Sequence, residues 1–187
     1  MIIYHNLQEI DRNLLNQIFE YRDGSLYWKV SPAQRIGVGD VAGTINESTG
    51  GYKVIKILSK QYLAHRLIFF MFNNYWPDEV DHIDGDVSNN RIENLRASTK
   101  AQNQWNSKIR KDNTSGVKGV HWSKRKSMWS ARVWENKKTH YLGYYTDLNE
   151  AEKVVKEFRI KCHGEYANDG KSGKVVSYGC QPTITPV

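Results

Sequence analysis

The sequence predicts an α+β protein made of two small domains. Short runs rich in Val, Ile, Tyr and Trp, separated by Gly-containing turns, indicate strands, and several segments have the apolar spacing of helices. A charged run without apolar periodicity, KIRKDNT, separates two apolar-rich parts. The 187 residues, 39% of them apolar, are enough for one compact domain or two small ones. We therefore predict domains over 1–107 and 115–168, a linker over 108–114 and a poorly ordered Gly/Ser/Pro-rich tail over 169–187.

The first domain is predicted to begin with an amphipathic helix over residues 7–21. Asn6 and Glu9 form a capping-box pattern, and apolar residues then recur with helical spacing. Strand-like segments follow at 25–30, 40–45 and 52–58. Residues 62–75 are apolar on nearly every side, which predicts a buried helix that ends before Pro77.

The segment VDHIDGDVSNNRIENLRASTKAQNQWN, residues 80–106, is predicted to contain a strand, a loop, a strand and a helix. Residues 79–83 form the first short strand, and Gly85 and Asp86 begin the loop. Residues 91–96 hold the second strand region. Thr99 and Gln102 make another capping-box pattern, which predicts a helix through about Asn106.

The second domain is predicted to be a three-stranded sheet with one packed helix. The strands are GVKGVHW, MWSARVWEN and KTHYLGYYT. Asp147 and Glu150 begin the helix, Gly164 ends it, and its apolar stripe is Ala151, Val154, Val155, Phe158 and Cys162. On the middle strand, alternation places Trp129, Ala131 and Val133 on one face and Ser130, Arg132 and Trp134 on the other.

The positive charge is concentrated in one part of the chain. Residues 95–140 contain twelve Lys or Arg and two acidic residues, a net charge of +10, whereas the rest of the chain carries −3. A basic segment that also carries Trp and Tyr favours double-stranded DNA as the partner over a merely solvated cationic surface. Nothing in the sequence indicates an obligatory protein partner.

Three side chains in the 80–106 segment have the chemistry of a one-metal phosphodiesterase. Asp81 supplies a carboxylate, His82 an imidazole and Asn103, near the start of the predicted helix, a carboxamide. These groups serve as a metal ligand, a general base and a second, neutral metal ligand.

These residues resemble the core of the HNH endonucleases, which include many phage and intron homing enzymes. The resemblance implies a ββα-metal (His-Me finger) fold in which Asp81 binds the metal, His82 is the base, Asn94 holds the loop and Asn103 is the second ligand. Oxygen ligands favour one Mg²⁺ or Mn²⁺ per site over zinc. Asn in the last motif position implies a weakly held metal.

The 80–106 segment and the residues before it have other interpretations. An EF-hand starting at Asp84 is excluded, because Asn89 replaces the required Gly and Leu95 the required Glu. Asp81 and His82 could be a turn pair with a buried histidine, among ordinary loop asparagines. His65 and Arg66 match the family's usual upstream sequence and are either phosphate contacts or a packing pair at a helix start. Arg96 and Lys100 are predicted phosphate contacts.

The second domain resembles the DNA-binding domain of plant ethylene-response factors, over about 50 residues. That resemblance implies a sheet lying in the major groove with Arg and Trp on its exposed face, whereas the alternative is that the tryptophans are core residues. The alternative is expected to hold for Trp129. The predicted DNA contacts of this domain are Lys118, Trp122, Arg125, Arg132, Trp134 and Lys137.

Several classes of protein are excluded by composition. The chain has two cysteines and no C-x-x-C, which argues against a structural zinc site or a disulfide framework. The N-terminus is unlike a signal peptide, and the apolar run 67–72 is too short to span a bilayer. We expect a cytoplasmic protein, with a phage host cell as the setting.

The sequence therefore predicts a site-specific DNA endonuclease of the HNH homing type. Two alternatives stay open. One is a non-cleaving DNA-binding regulator with a silent nuclease core, and the other is an RNA-binding or structural protein with the same core fold.

Overall fold

The computed structural model describes residues 10–135 and 137–171, which form two compact units divided between Thr99 and Lys100. Each unit has its own core of buried apolar side chains. Within the described residues, no helix is both long and apolar enough to cross a membrane. The predicted tail lies largely outside the described residues, as does the predicted capping box at Asn6 and Glu9.

Over residues 10–99, the first unit contains two α-helices and seven strands. In chain order they are α1 (Arg12–Ile18), β1 (Phe19–Arg22), β2 (Ser25–Trp28), β3 (Thr44–Asn46), β4 (Tyr52–Ile57), β5 (Lys60–Leu63), α2 (Ala64–Asn73), β6 (Glu79–His82) and β7 (Leu95–Ser98). The strands form three antiparallel sheets, β1-β2, β3-β4-β5 and β6-β7. The core lies around the apolar residues of α1 and α2.

The first helix is shorter than the predicted 7–21. Asp11 has extended backbone and its Oδ1 accepts a hydrogen bond from the Leu14 amide at 2.7 Å, so α1 begins at Arg12. The chain leaves the helix at Phe19, because residues 19–22 pair with β2 instead. Residues 7–9 of the prediction lie outside the described residues.

The predicted buried helix is confirmed, with a later start. Tyr62 and Leu63 belong to β5 and pair with Ile55 and Val54 of β4. The turn between these strands uses Leu58 and Ser59, both at positive φ (48° and 67°). Tight hairpin turns of this kind usually carry Gly or Asn, so no turn signal indicated β5. Helix α2 ends at Asn74, whose φ of 60° is left-handed.

The second unit contains a short helix, a sheet and a long helix. Its elements are α3 (Lys100–Trp105), β8 (Val120–Ser123), β9 (Met128–Glu135), β10 (Lys138–Tyr145) and α4 (Leu148–His163). The sheet is antiparallel in the order β10-β9-β8, and α4 packs on it through a core that includes Ala131, Val133 and Val155.

The helix ends of α4 are as predicted. The Asp147 side chain accepts a hydrogen bond from the Asn149 amide at 3.0 Å, and Gly164 at φ 54° follows the last helical residue. The buried face of α4 also carries Arg159 and His163, which were not predicted as core residues. Helix α3, which the sequence assigned to the first domain, falls in the second unit.

Candidate functional site

Asp81 and His82 end strand β6 and are both buried, with 3% and 4% of their surfaces exposed. Strand β6 pairs with β7, so that Asp81 lies opposite Arg96 and His82 opposite Leu95. Helix α2 packs against both strands. The segment predicted to carry the chemistry therefore has a fixed backbone and excludes bulk water from its two central side chains.

The His82 ring is held by a buried amide. Its Nε2 lies 2.8 Å from Oδ1 of Asn90, which is 3% exposed. With a carboxamide oxygen facing it, Nε2 carries the proton, which makes Nδ1 the basic nitrogen of the neutral ring. Asn90 was not singled out by the sequence, where it is one of several loop asparagines. The Asn-Asn doublet before Arg91 was the available signal.

Two further aromatic rings pack around His82. The His65 ring lies 4.9 Å from it, edge to face, and the Tyr52 ring lies 5.9 Å from it, both measured between ring centroids. Burial lowers the pKa of His65 to about 3, helped by the neighbouring His82, so His65 is neutral at physiological pH. Burial raises the pKa of Tyr52, and the charge of Asp81 adds to this effect.

Asp81 forms an ion pair with Arg96 across the β6-β7 ladder. Nε and Nη2 of Arg96 lie 2.9 Å and 2.8 Å from Oδ2 of Asp81. The Arg96 side chain is 14% exposed and the Asp81 side chain 4%. A buried carboxylate needs such a partner, because an isolated charge in this environment is costly.

The loop between β6 and β7 is closed by side-chain amides. Asn94 donates from Nδ2 to Oδ1 of Asp84 at 2.9 Å and to the Asn89 carbonyl at 2.8 Å, and its Oδ1 accepts from the Asp84 amide. Asn89 donates to the other oxygen of Asp84 at 2.7 Å. These bonds hold the ends of the loop together and so keep Asn90 beside His82.

The β1-β2 hairpin supports the same loop from outside the motif. Oη of Tyr21 accepts a hydrogen bond from the Ile92 amide at 3.0 Å. Gly24, at φ 82°, lies so close to the loop that a Cβ there would be 2.8 Å from the Arg91 nitrogen. The sequence did not reveal this support, because Tyr21 and Gly24 are distant from the motif along the chain.

The other predicted site residues of the first unit lie at the start of α2. His65 is 4% exposed and packs against His82, as the packing alternative expected, and its phosphate contact stays a prediction. Arg66 donates to the carbonyls of Pro77 and Asp78 at 2.9 Å and 3.0 Å and lies 3.9 Å from Glu79. Arg66 therefore fixes the chain leading into β6.

The remaining predicted residues lie in the second unit. Asn103 and Lys100 are on α3. Lys118 donates from Nζ to the carbonyls of Trp105 and Ser107, both at 2.6 Å, and burial lowers its pKa to about 7. The five other predicted DNA contacts of this unit are exposed: Trp122, Arg125, Arg132, Trp134 and Lys137. Arg132 and Trp134 alternate with the buried Ala131 and Val133 on β9, as predicted.

The donor set at the site suits a hard divalent cation. Among residues 10–135 and 137–171, no three His, Cys, Asp or Glu side chains group together as a metal cluster. Mg²⁺ keeps several water ligands and is commonly bound through one or two carboxylates. The Asp81 carboxylate is an oxygen donor of this kind, whereas a zinc site needs more protein ligands.

Comparisons with known proteins gave two matches. Residues 62–105 match the HNH endonuclease family, a segment that includes Asp81, His82, Asn94 and Asn103. The chain is 40% identical over 88 residues to Protein 3.8 of Escherichia phage T7, which covers 47% of this chain and 72% of that protein. No solved structure matches the chain.

Proposed function

We propose that this chain is a site-specific DNA endonuclease of the homing type, because it belongs to the family of phage T7 Protein 3.8 and carries an HNH endonuclease domain. One observation carries the proposal. In that domain, a buried carboxylate and a buried imidazole are adjacent, and the imidazole is oriented by the Asn90 amide at 2.8 Å. The reaction is hydrolysis of a phosphodiester bond in the DNA of a phage host cell.

His82 acts as the general base. Oδ1 of Asn90 accepts a hydrogen bond from Nε2 of His82. Nδ1 is therefore the nitrogen that takes the proton from the attacking water. The neutral His65 ring packs against His82 without adding a positive charge beside it. The Asn94 bonds hold the loop that carries Asn90, which keeps the ring fixed while the water is deprotonated.

Asp81 and Asn103 would hold one Mg²⁺ or Mn²⁺. When bound, the cation neutralises charge on the phosphate and on the leaving oxygen. The protein supplies few ligands, which implies weak binding that depends on the concentration of the ion. The oxygen chemistry of the two side chains supports this assignment.

The second unit is proposed to position the nuclease on its target. Residues 95–140 carry a net charge of +10, and Arg132 and Trp134 are exposed on the sheet face opposite α4. Such a face suits phosphate contacts by cations and base contacts by Arg and aromatic side chains. We propose that it reads the target as the sheet of an ethylene-response-factor domain does.

The test is cleavage of DNA from the source genome by the purified protein, with mapping of the ends. Mg²⁺ or Mn²⁺ should support cleavage, and EDTA should abolish it without changing the circular dichroism spectrum. Asp81→Asn should behave as the wild type does in EDTA. Tight DNA binding without cuts under every metal condition would favour the regulator instead, and unfolding by EDTA would indicate a structural metal.

A further inference from the structure

The ion pair between Asp81 and Arg96 is built into the β6-β7 ladder. The two residues lie directly opposite each other in the strand register, and two guanidinium contacts, at 2.9 Å and 2.8 Å, reach Oδ2 of Asp81. Asp81 is 3% exposed. Arg96 therefore already neutralises the carboxylate that the proposed function assigns to the metal.

If the Asp81 carboxylate held a divalent cation and the Arg96 guanidinium at the same time, the two positive groups would repel each other strongly. At distances of a few ångströms, like charges near a partly buried site repel each other strongly. Binding of the cation must therefore displace or weaken the Arg96 contact. The guanidinium then needs another anion, and a DNA phosphate at the same site is one that it can bind with both nitrogens.

We propose that Arg96 is the resident counterion of Asp81 and competes with the metal for it, so that metal binding is weak until a DNA phosphate draws the guanidinium away. This inference rests on the proposed function. It makes metal and DNA binding cooperative, and linkage requires the effect to be reciprocal, so each ligand raises the affinity for the other by the same factor. The enzyme would thus assemble its metal site on DNA.

The test is direct Mn²⁺ binding, measured by electron paramagnetic resonance without DNA, on the full chain. Arg96→Gln should bind Mn²⁺ about tenfold or more tightly than the wild type, and Arg96→Lys should lie between them. Arg91→Gln is the matched control, because it removes the same charge at a side chain that is 61% exposed and pairs with Asp23 rather than Asp81. Its affinity should equal that of the wild type.

Cooperativity between Mn²⁺ and DNA binding is measured in a His82→Ala background, where cleavage is expected to be about 10²–10⁴-fold slower. A duplex oligonucleotide should raise the Mn²⁺ affinity of the Arg96-containing protein about tenfold, and this gain should disappear in Arg96→Gln. Equal Mn²⁺ affinity in wild type and Arg96→Gln, or an undiminished DNA effect, would overturn the inference while leaving the proposed function intact.

Stability provides a second readout, since Arg96→Gln leaves a buried carboxylate without its counterion. If that variant is unfolded, added Mn²⁺ should restore its circular dichroism spectrum and should leave the wild-type melting temperature nearly unchanged. No response to Mn²⁺ in any variant, together with cleavage that survives Asp81→Asn, would instead overturn the metal assignment of the proposed function, and this inference with it.

Discussion

At the scale of single residues, the central feature is the hydrogen bond between the His82 ring and the Asn90 side chain. His82 makes a 2.8 Å contact to Asn90 through Nε2 and packs against the His65 ring, so its orientation and its tautomer are set before any substrate binds. Preorganisation of this kind lowers the cost of placing a base beside its water. The proposed general-base role therefore depends on Asn90 as well as on His82.

His82→Ala should lower the cleavage rate by about 10²–10⁴-fold and leave DNA affinity unchanged, because only proton transfer is lost. Asn90→Ala should lower the rate by about tenfold, since the ring loses one hydrogen bond worth roughly 1 kcal/mol. Asn73→Ala is the matched control, because it also removes one amide hydrogen bond, to the Phe69 carbonyl, but lies outside the β6-β7 loop. The measurement is single-turnover cleavage at saturating enzyme.

Nitrogen NMR of the imidazole distinguishes the orienting role of Asn90 from a structural one. The wild type should show a single tautomer protonated at Nε2, and Asn90→Ala should show a mixture. Full activity in His82→Ala would refute the base assignment, and an unchanged tautomer in Asn90→Ala would refute the role of the amide.

The strand and loop around the candidate site were predictable from residue types at fixed spacing. Asp81 and His82 lie at the end of the first short strand, as predicted, and Asn94 forms hydrogen bonds within the loop that follows it. The burial of His82 was expected only if Asp81 and His82 were a turn pair. Asn90 and Tyr52 were not predictable, because their importance lies in contacts across a loop and between sheets. The ion pair of Arg96 with Asp81 was also missed, since it depends on the strand register.

At the scale of elements, the β1-β2 hairpin supports the loop between β6 and β7. Oη of Tyr21 accepts a hydrogen bond from the Ile92 amide. The Gly24 backbone lies so close to Arg91 that there is no room for a side chain at position 24. Both residues lie outside the segment that matches the nuclease family. The position of Asn90 therefore depends on an element that carries no catalytic group.

Gly24→Ala should reduce activity more than Gly39→Ala does. Both glycines have similar φ values, 82° and 87°, so both variants bear the same cost of about 1–2 kcal/mol for left-handed backbone. Only at Gly24 would the new Cβ meet the loop, 2.8 Å from the Arg91 nitrogen, whereas no atom lies within 4 Å at Gly39. Equal melting temperatures and equal cleavage rates for the two variants would show that the hairpin does not support the loop.

The predicted helices and strands differ from the structure mainly where strand pairing competes with the helical or turn pattern of the local sequence. Helix α4 and its caps follow from Asp147, Gly164 and the apolar stripe between them. Residues 19–21 continue a helical pattern but pair with β2, because their aromatic side chains suit a sheet. Strand β5 was missed because its turn places Leu58 and Ser59 at positive φ, which sequence statistics disfavour.

At the scale of the whole molecule, the chain has a first unit that carries Asp81 and His82 and a second unit with its own apolar core. The second unit is held together beyond its sheet and α4. Lys118 binds the carbonyls of Trp105 and Ser107, Asn168 donates to Asn106, and the Ile109 amide donates to the Gly170 carbonyl. The segment predicted as a linker thus contributes to the folding of the second unit.

Residues 100–171 should therefore fold alone, and residues 113–171 should be less stable, because Lys118 and Gly170 lose their partners. Chemical denaturation of the two fragments measures the difference. The longer fragment should bind DNA with a steep salt dependence, since each neutralised phosphate releases about 0.9 counterion.

The exposed face of β9 should carry the target preference of that unit. Replacing Arg132 and Trp134 with Ala in the full chain should leave cleavage intact but make it less selective, because each Arg contact to a base contributes about 1–3 kcal/mol of discrimination. The fold should survive, since both side chains are exposed and the buried Ala131 and Val133 remain. Lys153→Ala, which removes an exposed charge on α4, is the control for charge alone. Cleavage sites are mapped for each protein at equal activity, and an unchanged pattern in the double variant would mean that another surface reads the DNA.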